Sequence, residues 1–550
     1  MAFGIMFPAS LAEQATSVIL VLALLWAASS VLRSKSIVQA LPVPSGAEWV
    51  WGHEKTVFMK EPGRACREWI HIHGLTFKIK AAFRVGHDLP SYFIRQADFT
   101  HPTQAPDVRQ LVLGDPLGIT HILQKKVYDY PHSEVVRPRV ARLLGQGLGW
   151  VEGEAEHKRM RHMVSPSFSH ENIKAMSQDI AVASVQVIDN LTLEVQGSSD
   201  GALINVLDWT AKATLNVIGR VVFLHDFQGG NSDDAQLILN ARRRGVGPVL
   251  QYAGFLTLML LRRFPILNKL PISAIQSQGL AKTVIQSGVA HEMIRRNEAL
   301  VANKQLQQKD LLTRLLSAHS TGKLSHEELL EQISTFVVSG HETTTQTLGF
   351  TVFELARHPV VQERLRTELA ELGHEPTYDD FQARLPYLDA VLKETLRLYP
   401  GLPYMERTAI RADVIPLREP VRLSSGELIS ALPVLPGQVV LIPIIAIQRL
   451  DAVWKDADTF RPDRWLHDLP PSEALCTGWA NTLAFSDGPR SCIGIRLAIY
   501  QYKVILTQMM DRFSYSSCVE ISAKVWKNAS LNALSLMRRK VFNSKSTSML

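Results

Sequence analysis

The chain has 550 residues, nearly half of them apolar, and a formal net charge of +7. This composition suits a large buried core and excludes a disordered chain. The charge is spread out, with no stripe of Lys and Arg interleaved with aromatics; that excludes a nucleic-acid surface and favours an anionic membrane or an acidic protein partner.

Residues 15–32, ATSVILVLALLWAASSVL, carry no charge, and Arg33 and Lys35 follow with no Lys or Arg before them. A spanning helix needs about 20 apolar residues. The run is slightly short, but residues 1–12 before it are also apolar. The pattern predicts a transmembrane anchor over residues 1–35, with the body on the cytoplasmic side by the positive-inside rule. A cleaved signal peptide is the alternative, and the missing cationic n-region speaks against it. Leu41-Pro42-Val43-Pro44-Ser45-Gly46 predicts a stiff hinge over residues 36–50. No repeat or Ser/Gly linker follows, so residues 51–550 are expected to form one domain.

That domain reads as mainly α with small β-sheets. Apolar periodicity predicts helices over residues 171–193, 207–223, 276–304, 325–356, 360–372 and 387–398. His358-Pro359 closes one helix and opens the next. Strand-like patches lie at 76–83, 421–428 and 439–447, the last an edge or bent strand because it carries Pro443. Residues 256–271, LTLMLLRRFPILNKLP, are apolar but too short to span. They fit a segment lying in the membrane interface, or a buried helix and loop.

There are four cysteines, Cys66, Cys476, Cys492 and Cys518, with no C-x-x-C pair and no zinc-type spacing. One has a distinctive setting, Phe485-Ser486-Asp487-Gly488-Pro489-Arg490-Ser491-Cys492-Ile493-Gly494. Gly488 and Pro489 fix a tight turn. Gly494 admits a flat ligand near the backbone. A helical run begins at Ile495, and a helix N-terminus with Arg490 nearby is expected to lower the thiol pKa. Cys492 is thus arranged as a thiolate, suited to a soft metal or haem iron. The other three cysteines read as buried small hydrophobes.

This segment resembles the haem-binding loop of the cytochrome P-450 superfamily, F-x-x-G-x-R-x-C-x-G, at every defined position. The resemblance implies the family's fold, a haem b ligated by Cys492, and oxygenation of a substrate. Glu394-Thr395-Leu396-Arg397 shares one helix face at i and i+3 and is similar to the family's E-x-x-R motif. It implies a structural triad of Glu394 and Arg397 with Arg464, which stands in Phe460-Arg461-Pro462-Asp463-Arg464. Ser339-Gly340-His341-Glu342-Thr343-Thr344 lies in a long helix. Gly340 weakens that helix by about 1 kcal/mol, and Thr hydroxyls can bend it through the i−4 carbonyl. The segment resembles the family's oxygen-binding notch, which implies Glu342 and Thr343 as a proton-relaying acid–alcohol pair. His157 and Arg161 share a face at i and i+4. With Arg407 and Arg490 they resemble the haem-propionate ligands, giving three arginines and a histidine for two carboxylates.

Lys158, Arg159 and His162 on the same helix are expected to dock an acidic flavoprotein reductase fed by NADPH, with cytochrome b5 as a further donor; no flavin or nicotinamide motif occurs in the chain. The resemblance covers residues 41–539, and its details look like microsomal fungal members, which implies the endoplasmic reticulum membrane. Leu497 stands where Phe is common, and Gln501 where Glu is common. Gln501 is expected to sit at a surface contact. Two sequons, at Asn190 and Asn528, would face the cytoplasm and stay unmodified.

The leading expectation is therefore a haem-thiolate monooxygenase acting on a lipophilic small molecule such as a terpenoid. The substrate would meet residues 102–136, 223–271, 336–343, 402–405 and 529–536. A haem-thiolate isomerase or dehydratase is the first alternative, and a haem-binding sensor the second. Glu342 and Thr343 argue against the first, because such chemistry needs no proton relay.

Overall fold

The structure is a computed structural model that describes residues 36–82, 109–196, 202–243, 248–263, 267–268, 275, 279–302, 310–467, 469–517 and 537–540. The expected anchor over residues 1–35, Cys518, Asn528 and residues 529–536 lie outside these. Among the described residues no helix is long and apolar enough to cross a membrane.

Residues 36–50, expected as a hinge, lie against the body. Val38 and Leu41 are buried in its core. Lys78 N donates to Pro42 O at 3.0 Å, and Ser424 N to Ala40 O at 2.8 Å. Two prolines make this stretch stiff, but its buried apolar side chains make it an edge of the body.

The long helices that frame the site are α1 (Glu154–Val164), α2 (Ser177–Gln196), α3 (Val206–Phe223), α4 (Asp233–Arg243), α5 (Pro248–Arg263), α6 (His326–Arg357), α7 (Pro386–Leu398) and α8 (Ile495–Arg512). Two of the starts show their local reason. Ser325 caps α6 in a capping box with Glu328, and Pro386 occupies the first turn of α7, where no N–H is needed. The helix expected over 276–304 begins its described course at Leu280 and passes through a π-helical turn at Ile285–Val289.

Nine strands occur among the described residues: β1 (Thr76–Lys80), β2 (Arg109–Leu113), β3 (Leu203–Ile204), β4 (Met405–Thr408), β5 (Asp413–Arg422), β6 (Leu428–Val434), β7 (Val439–Ile442), β8 (Ser514–Ser517) and β9 (Met537–Lys540). A four-stranded sheet has the order β1-β2-β7-β4, a three-stranded sheet β3-β9-β8, and β5-β6 form a hairpin. Two expectations are corrected here. The patch over 421–428 is the end of β5, the hairpin turn and the first residue of β6, not a strand of its own. The run over 439–447 is a strand only to Ile442. Pro443 cannot donate to the ladder, and Ile444–Ile447 turn into a helical segment.

The apolar interior divides in two. One cluster joins the long helices, from Met160 in α1 through Leu348 in α6 to Ile505 in α8. The other fills the sheet side, from Phe77 to Val440 and Ile442. α5 sits against the sheet side. Its Phe255 stacks on Phe58 at 4.5 Å and meets Trp51 at 5.8 Å, while Leu256 and Leu260 are exposed. Of the two readings of residues 256–271, its described part is thus an amphipathic helix with one face buried and one bare.

Candidate functional site

The cysteine loop hangs from α8. Cys492 N donates to Phe485 O at 2.9 Å and closes the loop, and the Phe485 ring stands edge-on to Trp479 at 5.2 Å. Gly488 has φ +68°, and a Cβ there would lie 2.2 Å from Leu123 O; only glycine allows that approach. A Cβ at Gly494 would meet no protein atom within 4 Å. The protein therefore leaves open space beside the cysteine, as a flat ligand would need. The Cys492 side chain is solvent-reachable, whereas Cys66 and Cys476 are buried.

Protein atoms nevertheless crowd the Cys492 sulfur, and this desolvation pushes the thiol up from its ordinary pKa, with Gly494 N–H and Arg161 pulling it back. The expected net lowering by the helix N-terminus is corrected: burial outweighs both. Charge compensation by a metal is what would hold the thiolate. Cys66 and Cys476, with no such helpers, are pushed up to about 12 by burial.

The relay motif lies on α6, which runs unbroken as α-helix from His326 to Arg357. Its hydroxyls do turn back along the helix. Ser339 Oγ donates to Thr335 O at 2.6 Å, Thr343 Oγ1 to Ser339 O at 3.2 Å, and Thr345 Oγ1 to His341 O at 2.8 Å. Gly340 has a packing reason: a Cβ there would lie 2.8 Å from Ile218 Cδ1 of α3. Thr343 is exposed although α6 is central, and it faces Gly401 in the loop after α7. Glu342 is ion-paired with Arg242 of α4.

Gln501 ties the two halves together. It lies six residues into α8, about 9 Å along it from the cysteine end. Its Nε2 donates to Gly340 O at 3.2 Å and to Thr344 Oγ1 at 3.0 Å. It is 1% exposed, so the surface contact expected for it is corrected to a buried one. Leu497 is likewise buried.

A cluster of cations lies between α1, β4 and the cysteine loop. Arg161 Nη1 donates to Ser491 O at 2.8 Å. Arg407 on β4 is buried, and burial brings its pKa down to about 10, so it stays charged near neutrality. Arg490 lies over the Tyr128 ring. Arg407 Nε and Arg490 Nε are buried without a hydrogen-bond partner. His157 is buried and meets Tyr128 Oη through Nδ1 at 3.1 Å. Burial, with Arg490 and Arg161 alongside, holds its pKa at about 4. His157 is therefore neutral near pH 7. Buried, unanswered guanidinium donors fit a ligand bearing carboxylates.

Behind the loop, Glu394 is fully buried. It accepts from Arg397 Nε and Nη2 at 2.9 and 2.8 Å, Arg464 Nε at 3.0 Å, Arg461 N at 2.9 Å and Trp465 Nε1 at 3.0 Å. Burial alone would raise its pKa, but Arg397 and Arg464 win and hold it below the usual carboxylate value.

On the outer face of α1, Lys158 pairs with Glu154 at 2.6 Å, and Arg159 with Glu156 at 2.7 Å and Glu328 at 2.5 Å. Those charges are answered locally; His162 stays exposed. Asn190 of the first sequon lies within α2, where Thr192 Oγ1 donates to Ile188 O.

Sequence reasoning missed Glu152, His132, Arg242 and the inward role of Gln501. Glu152 could have been flagged as an acid directly before the cationic helix; nothing local marks Arg242, which sits in a run of three arginines.

Residues 107–533 match the family model described as Cytochrome P-450. The chain is 29% identical to cytochrome P-450 monooxygenase 205 of Postia placenta, over 87% of this chain and 86% of the relative. It is 30% identical to cytochrome P-450 monooxygenase claP of Ampulloclitocybe clavipes, over 74% and 77%. It is 32% identical to cytochrome P-450 monooxygenase 91 of Postia placenta, over 77% and 82%.

Proposed function

The chain belongs to the cytochrome P-450 family and is a monooxygenase, and on that premise we propose that Cys492 ligates a haem b with which the enzyme hydroxylates a lipophilic small molecule. The observation that carries this reading is the pairing of a solvent-reachable Cys492 beside open space with buried arginine donors left unanswered on Arg407 and Arg490. A sulfur and two carboxylate-seeking cations on one ligand describe a haem with its propionates.

Bound haem supplies the dioxygen chemistry, and a cysteine thiolate favours O–O cleavage. The protein does the rest. Arg161, Arg407 and Arg490 take the propionates as charge-assisted partners, and neutral His157 adds a ring N–H. The Glu394–Arg397–Arg464 network fixes the chain behind the cysteine. Placing one oxygen atom in a C–H bond and releasing the other as water takes two protons and two electrons. Thr343, open beside Gly401, holds the last proton of the relay at Oγ1; Glu342 brings protons to it by exchanging Arg242 for the hydroxyl, as general acids do. The electrons come from NADPH through a separate flavoprotein reductase or cytochrome b5.

We infer the anchor over residues 1–35 from its sequence, and with it an endoplasmic reticulum membrane site with the catalytic body towards the cytoplasm. Support comes from the bare face of α5. Leu256 and Leu260, with Trp49, Phe58 and Met59, are exposed near the start of the body; such a group suits a membrane interface. Phe336, Val337 and Val338 and the segment Leu402-Pro403-Tyr404-Met405 give the wall an apolar part, which favours a lipophilic substrate of terpenoid type.

The test is expression with a reductase and a panel of lipophilic substrates. The wild type should give the thiolate-type carbon monoxide spectrum and substrate-dependent NADPH consumption with an oxygenated product. Cys492→Ser should abolish that spectrum. A Cys492→Ser protein with an unchanged spectrum would sink the ligand assignment.

A further inference from the structure

Glu152 lies just before α1, and its carboxylate joins three separate segments. Oε1 accepts from His132 N at 3.0 Å and meets His132 Nδ1 at 2.6 Å. Oε2 lies 2.9 Å from Arg490 Nη2. His132 in turn bridges to Arg407 on β4. One acid thus links the loop before α1, the strand that carries Arg407 and the loop that carries Cys492. On its other side is a cavity of about 300 Å³ that Glu152 lines together with Arg137, Trp150 and Glu156.

The charges give this arrangement a purpose. Arg161, Arg407 and Arg490 supply three positive charges, and a haem brings two carboxylates. His132 and His157 add none near neutrality, because burial holds both below the ordinary histidine value. One positive charge would stand unbalanced in a buried cluster, and an unpaired buried charge is costly. Glu152, held ionised by His132 and Arg490 against its burial, makes three anions against three cations.

We propose that Glu152 is a positioning residue of the haem site: it is the third carboxylate of the propionate clamp, holding Arg490 and His132 in place and balancing the clamp's charge. This rests on the haem reading above. It assigns Glu152 an effect on the haem potential that a simple loop contact would not have.

Glu152→Gln keeps the shape and removes the charge. The haem-loaded variant should keep the thiolate-type carbon monoxide spectrum, while its reduction potential moves positive, since one fewer negative charge favours the added electron. Glu152→Ala removes the shape as well and should lose haem to an acceptor protein several-fold faster than wild type, with Glu152→Gln in between. Haem-loaded Glu152→Gln with the wild-type potential overturns the proposal. Wild type that takes up haem without a thiolate-type spectrum overturns the haem reading itself, which is a separate result.

Discussion

Two buried clusters of glutamate and arginine flank the cysteine loop, and they are built differently. Around Glu394 every donor is answered. Five donors converge on its carboxylate, while the remaining guanidinium groups reach the carbonyls of Gln448 and Ala457 from Arg397, and of Lys455 from Arg464. Around Glu152 the donors are not all answered: Arg490 Nη2 meets Glu152, but Arg407 Nε and Arg490 Nε have no hydrogen-bond partner. Buried polar groups are nearly always satisfied, so the first cluster is complete as it stands and the second is complete only with something else. The same residue types therefore serve structure in one place and ligand binding in the other. Satisfaction tells them apart, and composition does not.

The sharpest way to break that contrast is to remove one partner from each. Glu394→Ala strands Arg397, which is fully buried; breaking a buried pair in this way costs about 3–5 kcal/mol. Little folded, haem-loaded protein is expected, as judged by thermal unfolding and the carbon monoxide spectrum. Arg407→Ala should leave a folded chain, because its orphaned donor supports nothing internal. A charge-assisted bond is worth about 1.5–3 kcal/mol, so haem should leave roughly ten- to a hundredfold faster in a transfer assay. If Arg407→Ala unfolds as Glu394→Ala does, both clusters are structural and the distinction fails.

Gln501 is intermediate, with Nε2 bonded and Oε1 buried without a partner. Gln501→Leu removes two bonds to α6 at about 1 kcal/mol each. The thiolate-type spectrum should persist, and product formed per NADPH should drop a few-fold as Gly340 and Thr344 lose their tether. Unchanged coupling would make Gln501 a packing residue only.

What the sequence made legible was local. Glu394 and Arg397 are three apart on a helix, His157 and Arg161 four apart, and Cys492 stands at a helix start; helical geometry places each pair without knowledge of the fold. What it hid was long-range or directional. Arg242 meets Glu342 and Glu152 meets Arg490 across large sequence separations, and no local period links them. Gln501 was misread because a polar residue on a helix is usually a solvated one, whereas here two long helices cross over it. The hinge was misread for the converse reason: its prolines are visible in the sequence, but the burial of Val38 and Leu41 depends on strands far along the chain.

The smallest effect, and the one that separates the clusters by pH, concerns His157. A histidine held neutral in the fold at about 4, against about 6.5 when unfolded, contributes stability that is fully present above pH 6.5. That stability is lost as pH falls towards 4, because the unfolded chain takes the proton first, with a slope of at most about 1.4 kcal/mol per pH unit. Glu394 behaves differently: its carboxyl is held low, so its contribution persists down to the ordinary carboxylate range and is lost only below it. On mild acidification the open cluster should thus weaken while the closed one holds. Urea midpoints of haem-stripped protein should fall from pH 6.5 to 5, and His157→Gln should flatten that fall. In haem-loaded protein the slope should shrink without any mutation, because a propionate beside the imidazole gives the incoming proton a counter-charge. An equal slope in loaded, stripped and His157→Gln protein would mean that His157 does not face the propionates, and the open cluster would lose its histidine.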